Sequence, residues 1–207
     1  EWKGMVLARH ATGDAFSFEQ IAEWAKQLTS GLTYLHDECN LIHQDLHNGN
    51  VMVTGLSQGG SVDDDTLKTT RVKIIDLGLA SFKSDQAHGG TSLRTMRMCA
   101  MRTKTMVASR ISSNIAVQVD DIGGFKAIRA PEMWPSNAHR IVRFDSKTDI
   151  WALGILLSEA ALLSSIEHWY LERATMQSFG RDPDLQDAKV KEVIARFPSI
   201  GAFVRKM

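Results

Sequence analysis

Apolar residues recur at helical spacing at Ile21, Trp24, Ala25, Leu28, Leu32 and Leu35, which predicts a long amphipathic helix. Ser17, with Gln20 three residues on, forms a capping-box pattern at its start, and Gly31 is tolerated inside it. A second run is apolar on nearly all sides: Ile150, Trp151, Leu153, Ile155, Leu156, Leu157, Ala160 and Ala161. Such a pattern belongs to a buried helix, with Ser146 and Asp149 capping its start. Further on, Leu185, Ala188, Val193, Ile194 and Phe197 fit one helix face, and Ile200, Phe203, Val204 and Met207 repeat the spacing. Short apolar runs at 51–54 and 72–75 predict two strands. Residues 5–8 also read as a short strand, closed by a turn at Thr12-Gly13-Asp14.

Two stretches break the pattern. Residues 55–70 are rich in Gly, Ser, Asp and Thr. A hairpin connection usually takes about two to five residues, so this one is an insert. Its Asp63-Asp64-Asp65 run reads as a solvated loop tip. Residues 81–129 show no clear periodicity and carry Arg94, Arg97, Arg102, Lys104 and Arg110 among many Ser and Thr, which predicts a mobile, solvated insert. No internal repeat is visible.

Composition narrows the class. The chain has 207 residues, 43% of them hydrophobic, enough to bury a core, and its length allows one domain or two small ones. Lys+Arg and Asp+Glu are both 24, so nothing global points to nucleic acid or an anionic membrane. The longest apolar stretch, 150–163, is too short for a membrane span and carries Glu159. With only Cys39 and Cys99, a disulfide scaffold or Cys-rich zinc site is not expected, and a reducing, cytoplasmic setting is.

The chemistry lies in two strings. Leu41-Ile-His-Gln-Asp-Leu-His-Asn-Gly-Asn50 puts an acid, Asp45, and an amide, Asn50, in a polar loop before an apolar run. Ile74-Ile-Asp-Leu-Gly-Leu79 puts a second acid, Asp76, just after one. Carboxylates and an amide offer the hard oxygen ligands that Mg²⁺ prefers. One acid could also accept the proton of an attacking hydroxyl. With Ala130-Pro131-Glu132 and Asp149-Ile-Trp151-x-x-Gly154 following in order, the chain resembles the eukaryotic-type protein kinase family along almost its whole length.

The resemblance implies an α+β, mainly α-helical fold: a protein-kinase-like C-terminal lobe with a small β hairpin at the catalytic loop. Residues 1–14 would be a hinge-like segment and 15–207 the lobe, incomplete at both ends, with inserts at about 55–70 and 81–129. It implies ATP and Mg²⁺ as cofactors and a protein substrate, with Ser or Thr a better expected acceptor than Tyr. Asp45 would be the catalytic base, and Asn50 and Asp76 the metal ligands. His47 stands where Ser/Thr-directed members carry Lys. On the hinge match, Leu7 would be the gatekeeper, and the backbone of Ala8 and His10 would meet the adenine edge. Asp14 would reach the ribose, and Met52 would pack under the adenine. His43 would be a packing residue touching Leu77, and the Asp149 carboxylate would accept N–H groups of the catalytic loop.

Departures from the family pattern matter as much. Gln44 replaces an Arg that pairs with a phosphorylated residue, and Phe125 falls where a Ser or Thr would touch the catalytic Asp. Neither a Gly-rich phosphate loop nor a strand Lys is present, so an N-terminal lobe of the same parent chain is the expected missing partner. This chain by itself is expected to be inactive. Two other readings stand beside protein phosphorylation: a pseudokinase scaffold, and a small-molecule phosphotransferase with a kinase-like fold.

Overall fold

In the computed structural model the described residues are 1–55, 69–82, 115–118, 126–134, 141–171 and 179–205. The helices are α1 (Trp2–Thr12), α2 (Phe18–Thr33), α3 (Lys147–Leu162), α4 (Ile166–Leu171), α5 (Pro183–Arg196) and α6 (Pro198–Val204). Among the described residues, six short strands form three antiparallel pairs: β1 (Leu41–Ile42) with β4 (Ser81–Phe82), β2 (Val51–Thr54) with β3 (Arg71–Ile74), and β5 (Ile115–Gln118) with β6 (Ile141–Phe144). The fold is therefore mainly helical with a small hairpin, as the sequence pattern implies.

Helix α2 starts where its capping box places it. The Ser17 hydroxyl accepts from the Gln20 N–H at 3.2 Å, and the Gln20 side chain accepts from the Ser17 N–H at 2.8 Å. Its apolar stripe enters the core: Ile21, Trp24, Leu28 and Leu32 are all buried, and Ala25 packs at the edge. A single π turn, Tyr34–Glu38, continues it and buries Leu35 and His36. Helix α3 runs through the core, with every residue from Ala152 to Ala161 buried. A helix apolar all round is expected in the middle of a fold.

Residues 5–8 are not a strand. They lie inside α1, whose buried residues Trp2, Met5, Val6 and Arg9 follow the i, i+3, i+4, i+7 stripe of a helix. Gly13 ends it in the left-handed region, at φ 76°, with its N–H on the His10 carbonyl. Trp2 stacks edge-on against Trp24 at 5.4 Å, so α1 shares the core of α2. Aromatic pairs of this geometry add about 0.5–1.5 kcal/mol beyond the area they bury.

Two smaller expectations also change. Ser146 sits at the N-cap of α3 but its side chain makes no cap bond; the Asp145 carboxylate accepts the Lys147 N–H instead, at 2.7 Å. The periodic stretch 185–204 is two helices, because Pro198 cannot continue the hydrogen-bond ladder of α5 and instead opens α6. Asp182 and Pro183 are the N-cap and first residue of α5, with the Asp182 carboxylate accepting the Leu185 N–H at 2.9 Å. The acidic run 63–65, Phe125, Cys99 and the basic residues 94–110 lie outside the described residues. No described helix is long and apolar enough to cross a membrane.

Candidate active site

The site is a loop strung between two short strands and hung on α3. β1 leads in and pairs with β4, Ile42 opposite Ser81. β2 leads out and pairs with β3, Val51 opposite Ile74. The alternation of β2 sets its faces: Val51 and Val53 are buried, while Met52 and Thr54 face outward. One further ladder bond, Ile75 N–H to the Asn50 carbonyl at 2.9 Å, places Asp76 beside the end of the loop. The two chemical strings of the sequence are thus brought together by hairpin register.

Within the loop, Asn50 is buried, and its amide donates to the Asp45 carbonyl at 2.8 Å and approaches Asp45 Oδ2 at 3.3 Å. This spends the amide nitrogen on the loop and leaves the amide oxygen as a ligand donor. The turn at Asn48-Gly49 closes with the Asn50 N–H on the His47 carbonyl, 2.9 Å. His47 Nδ1 accepts the Gly49 N–H at 3.0 Å, so the proton of the neutral ring sits on Nε2, which lies 3.8 Å from Asp45 Oδ1. Asp76 is exposed and held at φ 61°, with Oδ1 accepting the Gly78 N–H at 2.9 Å. Asp tolerates that left-handed conformation better than most residues.

Asp149 performs the task expected of it. Its Oδ2 accepts the His43 N–H at 2.8 Å and its Oδ1 the Gln44 N–H at 2.9 Å. Gln44 sits at φ 65°, a left-handed conformation that is uncommon for a non-glycine residue. The paired acceptors on Asp149 hold it there. A third partner, His36, was not legible in the sequence; its Nε2 lies 2.8 Å from Asp149 Oδ2. His36 looked like one of several scattered histidines, because the π turn that buries it has no separate sequence signature. The Gln44 amide donates to Ser81 Oγ, tying the loop to β4.

His43 is fully buried, with Nε2 on the Ile75 carbonyl at 3.0 Å. Leu77 is 38% exposed. The hinge expectation does not survive: Leu7, Ala8 and His10 belong to α1, where backbone N–H groups serve the helix ladder. No extended edge remains at 5–8 to meet an adenine. Asp14 is exposed and pairs with Arg9 at 3.6 Å. Met52, 36% exposed on the open face of the hairpin, keeps a position from which it could pack against a ring. Glu132 is exposed at the start of a 3₁₀ turn.

A second carboxylate under the loop was missed. Glu159 is 1% exposed on α3, and its Oε1 accepts both the Asn48 amide at 2.9 Å and the Ile166 N–H at 2.8 Å. Burial pushes its pKa up to about 7, with Glu167 adding to the rise, while the Ile166 and Asn48 bonds and Lys3 oppose it. The folded carboxyl therefore binds its proton more tightly than the unfolded one. Its stability contribution is complete below about pH 4.5 and is lost as pH rises through about 7. Glu159→Gln, neutral throughout, should melt close to wild type at pH 5 and above it at pH 8, by at most about 3 kcal/mol. Thermal melts of both proteins at the two pH values check this; equal melting differences at both would refute it.

A family model described as "Protein kinase domain" matches residues 3–182. The chain belongs to the protein kinase family. Among curated kinases it is 26% identical over 159 residues to human mitogen-activated protein kinase kinase kinase 10, covering 76% of this chain and 12% of that protein. It is 29% identical over 153 residues to the Caenorhabditis elegans eukaryotic translation initiation factor 2-alpha kinase pek-1, covering 74% of this chain and 11% of that protein. A Drosophila melanogaster mitogen-activated protein kinase kinase kinase is 37% identical over 62 residues, 29% of this chain and 5% of that protein. The kinase chain thus spans about an eighth or less of the curated relatives it matches.

Membership brings ATP and Mg²⁺ into question, and the donor set can be tested against them. Asn50 has its amide oxygen uncommitted in the loop, and Asp76 follows the residue bonded to the Asn50 carbonyl; an amide oxygen and a carboxylate are both hard donors suited to Mg²⁺. Among the described residues no cluster of three or more His, Cys, Asp or Glu forms a metal cage. One amide oxygen and one carboxylate fit Mg²⁺, which takes one or two protein ligands and completes its shell with phosphate and water.

Proposed function

We propose that this kinase chain carries the catalytic loop of an ATP-dependent protein phosphotransferase, with Ser or Thr hydroxyls as acceptors. The observation that carries this is the closed Asp45–Asn50 loop with Asp76 set beside it by the Ile75–Asn50 bond. Asp45 would accept or orient the proton of the attacking hydroxyl. Asn50 and Asp76 would hold Mg²⁺, which neutralises charge on the transferring phosphates. His47, with its proton on Nε2, would donate toward the same charge as a neutral group, more weakly than a Lys. Met52 would lie under the adenine, and a further lobe of the intact protein would cover the nucleotide. We place the protein in the cytoplasm.

The relatives' printed names, a kinase of kinases and a kinase of a translation factor, favour a protein acceptor. Gln44 favours the scaffold reading instead, because it holds Ser81 through a neutral bond where an Arg would recruit a phosphate. Incubating the intact protein with labelled ATP and Mg²⁺ separates the readings. Label on a Ser- or Thr-containing peptide supports the proposal. Label only on small-molecule acceptors, or nucleotide binding with no transfer, would overturn it.

A further inference from the structure

Two carboxylates of α3 reach the catalytic loop from below, and only Asp149 was legible as an anchor. Glu159 lies ten residues further along α3, about 15 Å along the axis at 1.5 Å per residue. Asp149 grips the backbone of His43 and Gln44, just before Asp45. Glu159 grips the side chain of Asn48, just after His47. Asp45 is therefore suspended between two fixed points on one rigid helix. The second grip also reaches Asp45 from the other side. Asn48 lies inside the turn that closes between His47 and Asn50, and Asn50 holds the Asp45 carbonyl.

We infer that Glu159 and Asn48 are positioning residues: their hydrogen bond fixes the Asp45–Asn50 loop in its working geometry. This rests on the proposed phosphoryl transfer for its kinetic readout but not for its structural one. Several observations support the assignment. Asn48 is 5% exposed and Glu159 1%, so the bond is screened from water and its geometry is well defined. The same Oε1 also accepts the first N–H of α4, which fixes the carboxylate independently of the loop. An Asn in a polar turn has many solvent-facing alternatives; here its side chain turns inward to an acid that is costly to bury. A misplacement of about 1 Å at a reacting group can cost about a hundredfold in rate, so a grip on the loop has a kinetic consequence.

The test uses the intact protein. Asn48→Ala should lower kcat about tenfold, leave KM for Mg-ATP within about twofold, and speed backbone hydrogen exchange at residues 46–50 while 43–44 stay slow. Glu159→Ala should lower kcat similarly, and the double variant should lose no more than the worse single, since one bond is being removed twice. Should Glu159→Ala not fold, Asn48→Ala decides alone. A folded Asn48→Ala protein with wild-type exchange across 46–50 would overturn the inference, as would fully additive losses in the cycle. If the wild-type protein transfers phosphate to no acceptor, the proposed function falls, and the exchange measurement still decides the positioning claim.

Discussion

Asp45→Ala should lower kcat of the intact protein by about a thousandfold, about 4 kcal/mol of transition-state stabilisation, with Mg-ATP affinity within a few-fold of wild type. The split follows from geometry. Asp45 is half-buried in the loop, and its carboxylate approaches Asn50 and His47, the groups proposed to hold the metal and to face the phosphate charge. A proton acceptor acts as the transition state forms, so its loss falls on kcat. The loop should survive the change, because Asn50 bonds the Asp45 carbonyl, which alanine retains. Asp76→Ala should behave oppositely. Asp76 is exposed, beyond the ladder, and its proposed partner is the metal, so its loss should appear mainly as weaker Mg-ATP binding. Steady-state kinetics with calorimetric titration of Mg-ATP distinguish the two. An Asp45→Ala protein that turns over near the wild-type rate would remove Asp45 from the chemistry.

The parts that were legible in the sequence are those in which one residue type answers one local need. The capping box at Ser17 and Gln20, the stripe through Trp24 and Leu28, and the alternation at 51–54 each follow from a fixed periodicity, and each is present. Asp149 was legible through the family resemblance alone, since the donors it serves, His43 and Gln44, lie more than a hundred residues away in the chain. Residues 5–8 misled because four consecutive apolar residues fit a buried strand as well as a helix. The stripe that decides, Trp2, Met5, Val6 and Arg9, includes a charged member. Arg9 hides its charge by lying over the Phe16 ring at 5.6 Å, a contact that sequence does not display. Glu159 and His36 were missed for a related reason. Each is buried by partners more than a hundred residues away in the chain, Asn48 and Asp149, and no local pattern encodes such a pairing.

The largest expected loss of stability comes from the first of those long-range anchors. Asp149 is 1% exposed and takes three hydrogen bonds, from the N–H groups of His43 and Gln44 and from His36. Alanine at 149 leaves those donors buried without an acceptor. A stranded buried donor costs about 1–3 kcal/mol, and breaking a buried charged partner costs about 3–5 kcal/mol in all. Gln44 adds to the penalty, because its left-handed backbone at φ 65° is held by the bond to Oδ1. Asp149→Ala should therefore lower the melting temperature by roughly 10–20 °C for a domain of this size. Asn at 149 should fall between. Its one oxygen can serve either the Gln44 side or the side shared by His43 and His36, while its NH₂ meets an N–H on the other. That ordering, wild type above Asn above Ala, separates a specific double acceptor from a simple loss of volume. Thermal and urea melts of the three proteins test it. An alanine variant within about 1 kcal/mol of wild type would mean that the loop keeps its shape without α3, and the account of how Asp45 is positioned would fall with it.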